Sequence, residues 1–191
     1  MFNDIIKFGR EMMFQGLNNS HSGNVSCRRA NTIYITRHGA RLGDLSYQDF
    51  VAVNLKDEKR DKDASVEIKA HRAIYLANSE VQAIIHAHPP NAIALSLNCE
   101  KIIPIDMEGN YYLPEIPVLT ECKETISSEC VAENLPQMLG KYKVVVVKGH
   151  GSFAVGKNFE EAYLYTSVCE SASKIIIFNR ITQMKSAVIS D

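Results

Sequence analysis

The chain has no long hydrophobic run. Its longest apolar stretches, such as VVVV at 144–147, fall far short of the roughly 20 residues that a membrane-spanning helix needs. Neither sign of charge dominates. Lys and Arg number 21 against 22 Asp and Glu, a formal net charge of −1, so nothing electrostatic points to nucleic acid or an anionic membrane as partner. Basic residues do not cluster beyond Arg28–Arg29 and the mixed run KDEKRDKD at 56–63, which reads as a solvated loop. There is no CxxC pair. The five cysteines, Cys27, Cys99, Cys122, Cys130 and Cys169, are odd in number and widely spaced. That argues against a disulfide framework and a thiolate zinc knuckle, and leads to the expectation of a reducing cytoplasm. The opening MFNDIIKFGREMM lacks an apolar h-region, so no signal peptide is expected. Linkers, internal repeats and low-complexity stretches are also missing.

What is present is an ordinary globular composition. With 191 residues, 46% of them hydrophobic and 23% charged, the chain is expected to form one domain over 1–191. Apolar side chains at Ile5, Ile6, Phe8, Met12 and Met13 predict a helix over 4–14, with Asn3 to cap its start and Gly16 its end. Short β segments follow at NVSC (24–27), TIYIT (32–36) and VAVNL (51–55), separated by Gly, Asn and Asp. A helix is expected over 66–79, a buried strand over 81–88, and a helix opening with Pro89 and Pro90. Another helix is expected near 123–139, then the strand KVVVV with a Gly-flanked turn, then a long helix over 159–180. Strands and helices mix without a strict βαβ rhythm, which predicts a sheet covered by helices in a layered α/β sandwich.

IIHAHP at 84–89 is the most informative stretch. Residues two apart on a strand share a face, so His86 and His88 project together at a strand end and can reach one metal ion. Two unrelated histidines, one capping the strand and one exposed, are the alternative. His150 follows the KVVVV strand between Gly149 and Gly151, whose freedom allows a sharp turn and close approach of a ligand. Three histidines from two strand ends make a His₃ zinc site with an open position; a turn histidine without a partner is the other reading. Glu67 lies at a helix start. It can be an acid/base carboxylate that also touches the metal, or it can simply match the helix dipole or complete a partial capping box. Spacing does not choose. His71 shares a helix face with Glu67 and reads as structural. The turns HSGNVS (21–26) and ITRHGARLG (35–43), together with Ser65 at a helix N-terminus, have the donors to hold a phosphate.

With these pieces assembled, the chain resembles the class II aldolase/adducin-head family, the group containing L-fuculose-1-phosphate aldolase and ribulose-5-phosphate 4-epimerase. SGNVS (22–26), YITRHG (34–39), ASVE (64–67), HAHP (86–89) and KGHGSFAVG (148–156) occur in the family's order. The resemblance implies a three-layer α/β/α sandwich around a mostly antiparallel or mixed sheet, assembled as a homotetramer with sites at subunit interfaces. It implies Zn²⁺ or another divalent metal on His86, His88, His150 and Glu67, with Glu67 as catalytic carboxylate. It implies a small-molecule sugar phosphate as partner, its phosphate held by Asn24, Gly39 and Ser65. The implied reaction is retro-aldol cleavage of a ketose 1-phosphate to dihydroxyacetone phosphate and an aldehyde through a zinc-stabilised enediolate.

Three departures stand out. His38 occupies a position where fuculose phosphate aldolase has a hydroxyl residue. Ser65 and Val66 stand where that enzyme has two serines. Glu108, in IPIDMEGNYYLPEIP (103–117), stands where it has a tyrosine from the neighbouring subunit, with Tyr111 or Tyr112 as substitutes. The epimerase branch fits worse: Asn110 replaces its aspartate, and no histidine follows His150. Decarboxylase and dehydratase readings stay open, because the same metal–enediolate chemistry serves them. A non-catalytic adducin-like module is disfavoured by the joint presence of three histidines and the glutamate.

Overall fold

A computed structural model describes residues 2–59 and 61–189. In chain order the elements are α1 (Phe2–Phe14), β1 (Asn24–Arg29), β2 (Thr32–Thr36), β3 (Phe50–Asn54), α2 (Ile68–Ala77), β4 (Ala83–Ala87), α3 (Pro90–Ser96), β5 (Lys101–Ile102), α4 (Met107–Tyr112), β6 (Ile116–Leu119), α5 (Glu129–Leu139), β7 (Val144–Val147), β8 (Gly151–Gly156) and α6 (Phe159–Ile189). The strands form one sheet in the order β3-β2-β1-β4-β8-β7-β6-β5. Only β6 and β7 run parallel; the other neighbours are antiparallel.

Alternation along the strands feeds two apolar layers. Ile84, Val145, Val147, Phe153 and Val155 pack with Ile68, Ile74 and Tyr75 of α2 and Val131 and Leu135 of α5. On the opposite face, Val25, Ala83, Ile85 and Ala87 meet Ile5 and Met12 of α1 and Phe159 and Ala162 of α6. Val144, Val146 and Ala154 meet Ala92 and Leu95 of α3 and Val168, Cys169 and Ile176 of α6. The result is the α/β/α sandwich with a mostly antiparallel sheet. β7 is four buried valines in a row, as a strand covered on both faces requires. Burying each contributes about 1.5–3 kcal/mol.

Several elements differ from the expectations. The 66–79 helix starts only at Ile68, with Glu67 at its N-cap. The 123–139 helix starts at Glu129, because Cys122 and Cys130 are joined in a disulfide and the chain between them is a loop. The cysteine reading is corrected to that extent: there is no framework, yet one bond is present, and an eight-residue separation carries no sequence signature. SFAVG, to which the sequence reading assigns no element, is strand β8, inserted between β4 and β7. Its Gly, Ser and Ala residues have little intrinsic β preference. α4, β5 and β6 carry too few residues for a periodic signal.

Candidate active site

β4 and its antiparallel neighbours build the site. In register, His86 faces Asn24 of β1 and Phe153 of β8. His88 lies one residue beyond β4, and its backbone N–H donates to Leu17 O at 2.8 Å and to Asn18 Oδ1 at 3.0 Å. His150 sits in the turn from β7 to β8, its N–H donating to Val147 O at 3.0 Å. Gly149 on one side takes φ +67°, backbone that favours glycine. A Cβ at Gly151 on the other side would collide with Ala87 O and stand 3.0 Å from His86 Cε1 and His88 Cδ2. The flanking glycines therefore let three imidazoles crowd together.

One ring nitrogen from each of His86, His88 and His150 lies within 4.8 Å of the others. The Nε2 atoms of His86 and His88 are 3.0 Å apart. His86 Nδ1–H donates to Ser152 O at 3.1 Å, which leaves Nε2 with its lone pair turned to the cluster. The His86 ring stacks on Phe153 with centroids 4.2 Å apart. Burial, then the neighbouring His150 and His88, hold the His86 pKa well below the usual imidazole range. Burial and then His88 lower that of His150 to about 4, and burial lowers that of His88. Neutral, converging imidazoles with an orienting carbonyl behind one of them fit a divalent cation.

Glu67 is 3% exposed and makes no cap hydrogen bond to α2. Its Oε1 instead accepts Ser127 N–H at 3.1 Å. Burial raises its pKa, and the Ser127 bond partly offsets that rise. A capping box therefore does not explain this side chain. Glu67, the three histidines, Asn24, Gly39 and Ser65 line a single cleft of about 350 Å³. Gly39 has φ +72°. Ser65 is buried, and its Oγ accepts Glu67 N–H at 3.3 Å. Arg37, His38 and Ile126 also border the cleft; the Arg37 Nε–H donates to Asp49 Oδ1 at 2.9 Å.

Two sequence-derived groups fall elsewhere. His71 is fully buried, its Nδ1 2.7 Å from Ser26 Oγ, which in turn is 2.9 Å from Tyr75 OH. This core network accounts for it structurally. Glu108, Tyr111 and Tyr112 lie on α4 and border no part of this cleft within the chain. The sequence reading missed Ser127, Asn18 and Ser152, which hold Glu67, His88 and His86. Two of those contacts use main-chain atoms, N–H of Ser127 and C=O of Ser152, so residue type carried no signal.

Comparison with known proteins agrees with the geometry. The family described as "Class II Aldolase and Adducin N-terminal domain" matches residues 3–177. L-fuculose phosphate aldolase of Methanococcus vannielii is 29% identical over 155 residues, covering 80% of this chain and 82% of its own. The crystal structure of L-fuculose-1-phosphate aldolase from Thermus thermophilus superposes with a TM-score of 0.89 at 32% identity, covering 94% of this chain and 93% of its own. A methylthioribulose-1-phosphate dehydratase of Pseudoalteromonas translucida is 26% identical over 162 residues, covering 78% of this chain and 76% of its own.

Proposed function

Because the chain belongs to the class II aldolase and adducin N-terminal domain family, we propose that it is a metal-dependent aldehyde-lyase cleaving a ketose 1-phosphate to dihydroxyacetone phosphate and an aldehyde. The observation that carries this reading is the convergence of His86, His88 and His150 in the cleft that also holds buried Glu67.

His86, His88 and His150 are the ligands of a divalent cation, zinc by the chemistry of an all-imidazole set, and Glu67 lines the same cleft. When bound, that ion supplies Lewis acidity to the substrate's carbonyl and adjacent hydroxyl oxygens. Asn24, the Gly39 turn and Ser65 hold the phosphate. In cleavage, the ionised Glu67 carboxylate takes the proton of the C4 hydroxyl, the C3–C4 bond breaks, and its electron pair moves toward the C2 carbonyl. The C4 carbon leaves as the aldehyde. A proton delivered to C3 then completes dihydroxyacetone phosphate. Glu67 is the group that carries this proton. Burial favours its protonated form and brings its pKa toward that of a working general acid.

Similarity to two L-fuculose phosphate aldolases, one of them at 32% identity over nearly the whole fold, supports fuculose-1-phosphate-like substrates. His38 and Val66 leave fewer hydroxyl donors around the phosphate, and a relative named as a dehydratase favours a second reading, dehydration or decarboxylation of a related sugar phosphate on the same scaffold. The enzyme acts as one domain in a cytoplasmic homotetramer. Two features of α4 support the assembly: Met107 is 90% exposed and Tyr111 79%, so α4 has an apolar, aromatic surface to offer a neighbouring subunit's site. Among the described residues no helix is long and apolar enough to cross a membrane.

Incubating the zinc-loaded protein with L-fuculose 1-phosphate and ribulose 1-phosphate tests the reading. Release of dihydroxyacetone phosphate supports it. A dehydrated ketone in its place, or carbon dioxide from 3-oxo-tetronate 4-phosphate supplied in parallel, transfers the assignment to the second reading.

A further inference from the structure

The segment between Cys122 and Cys130 does more than connect β6 to α5. It lays Ile126 along the cleft and brings Ser127 onto Glu67 from outside. Ser127 N–H donates to Glu67 Oε1 at 3.1 Å, and Ser127 Oγ–H donates to Val66 O at 3.0 Å. The N–H bond to Oε1 fixes where the carboxyl points. It is also Glu67's one hydrogen bond from outside its own helix start among the described residues.

Ser127 adopts φ +51°, left-handed backbone that a residue with a Cβ rarely takes unless its surroundings impose it. The segment is exposed over most of its length, with only Cys122 buried, so packing does not impose that conformation. Its two ends, which pack with Leu119 and Val131 in the apolar layer, are joined by the bond between Cys122 and Cys130, whose Cα atoms stand 5.7 Å apart. Cys130 is only half-buried, within reach of a small dissolved thiol.

We infer that the Cys122–Cys130 disulfide is a redox-dependent positioning device for Glu67, so that dithiol and disulfide forms of the protein differ in turnover. The inference rests on the lyase reading for Glu67's role. The exchange is balanced by a small thiol such as glutathione. Its thiolate attacks Cys130 Sγ, the S–S bond breaks, and Cys122 leaves as thiolate and takes a proton. A second thiolate then releases Cys130, giving the protein dithiol and one oxidised small disulfide, a two-electron transfer. With its ends untied, Ser127 relaxes to negative φ and its N–H leaves Oε1. Glu67 then swings free of the alignment needed for proton transfer to C3, while the imidazoles, held by β4 and the β7–β8 turn, keep their places.

The experiment compares zinc-loaded wild-type protein before and after reduction by glutathione, with thiols counted, using the ketose 1-phosphate whose cleavage releases dihydroxyacetone phosphate. Expected is a fall in kcat of about tenfold or more, with KM and zinc stoichiometry unchanged, and recovery on reoxidation by oxidised glutathione. Cys122→Ser and Cys130→Ser should sit at the lower kcat and ignore both reagents, whereas Cys99→Ser should respond as wild type does. A kcat that changes by less than about twofold on full reduction overturns the inference. Hydrogen exchange of the 123–129 amides, read in both redox states without substrate, separates this outcome from a failure of the lyase reading. Protection of the Ser127 amide in the disulfide form and its loss in the dithiol form support the tether even if no ketose 1-phosphate is cleaved. Equal protection in both forms refutes it.

Discussion

Asn24 and His86 stand opposite each other in the β1–β4 pairing, so one antiparallel register fixes a residue assigned to the phosphate and a residue assigned to the metal. The distance between the two functions is set by main-chain hydrogen bonding and not by loop conformation. A strand that slipped by one residue would turn His86 to the other face of the sheet and into apolar packing.

The first expected outcome concerns the turn. Gly151→Ala places a methyl against Ala87 O and the His86 and His88 rings. Backbone and imidazoles must both move, so zinc per chain should fall well below that of wild type by elemental analysis. The strand pairings on either side should hold the fold, read by circular dichroism. Full zinc occupancy in this variant would show that the rings do not need the space.

Glu67→Gln keeps the shape and the Ser127 contact but loses the titrating proton. General acid–base catalysis contributes about 10²–10⁴-fold, so kcat should fall by that order while bound zinc stays near the wild-type level. Wild-type turnover would remove the carboxyl from the mechanism.

Asn24→Ala withdraws one amide from the phosphate's proposed berth. A hydrogen bond to a charged group is worth about 1.5–3 kcal/mol, so kcat/KM for the ketose 1-phosphate should drop by roughly 10–100-fold. Competitive inhibition by inorganic phosphate should weaken in parallel. If phosphate inhibits the variant as strongly as wild type, the anion is held elsewhere.

His71 provides a test of the core that is independent of the metal ligands. Burial lowers its pKa from 6.5 to about 3, so in the folded protein it stays neutral where the unfolded chain takes up a proton. Its contribution is complete above pH 6.5. As pH falls from there toward 3, stability should decline by up to about 1.4 kcal/mol per pH unit from this one group. Urea unfolding of metal-free wild type and His71→Gln between pH 7 and 4 should show a shallower decline in the variant. Parallel curves would mean that His71 titrates alike in both states.

Much of the site was legible before the fold was known, and the reason is periodicity. His86 and His88 share a face because side chains alternate on a strand, and glycines on both sides of His150 signal a turn that a ligand can approach. Other parts depend on contacts between segments far apart in sequence. Ser127 reaches Glu67 across 60 positions, with a main-chain atom that any residue would supply. The strand at 151–156 is four small residues around Phe153 and Val155, and its place between β4 and β7 makes it a strand. It also separates the strand carrying His86 from the one preceding His150, so those histidines meet across a turn and not across a pair of adjacent strand ends. The disulfide was invisible for a related reason: a lone pair of cysteines acquires meaning only when a loop folds back.

The measurement that bears most directly on all of this is anomalous diffraction from crystals of the zinc-loaded protein, collected on both sides of the zinc absorption edge. One anomalous peak per chain within bonding distance of nitrogens of His86, His88 and His150, absent in His150→Ala, is the expected result. A peak elsewhere, or none at those rings in fully loaded protein, would contradict the account.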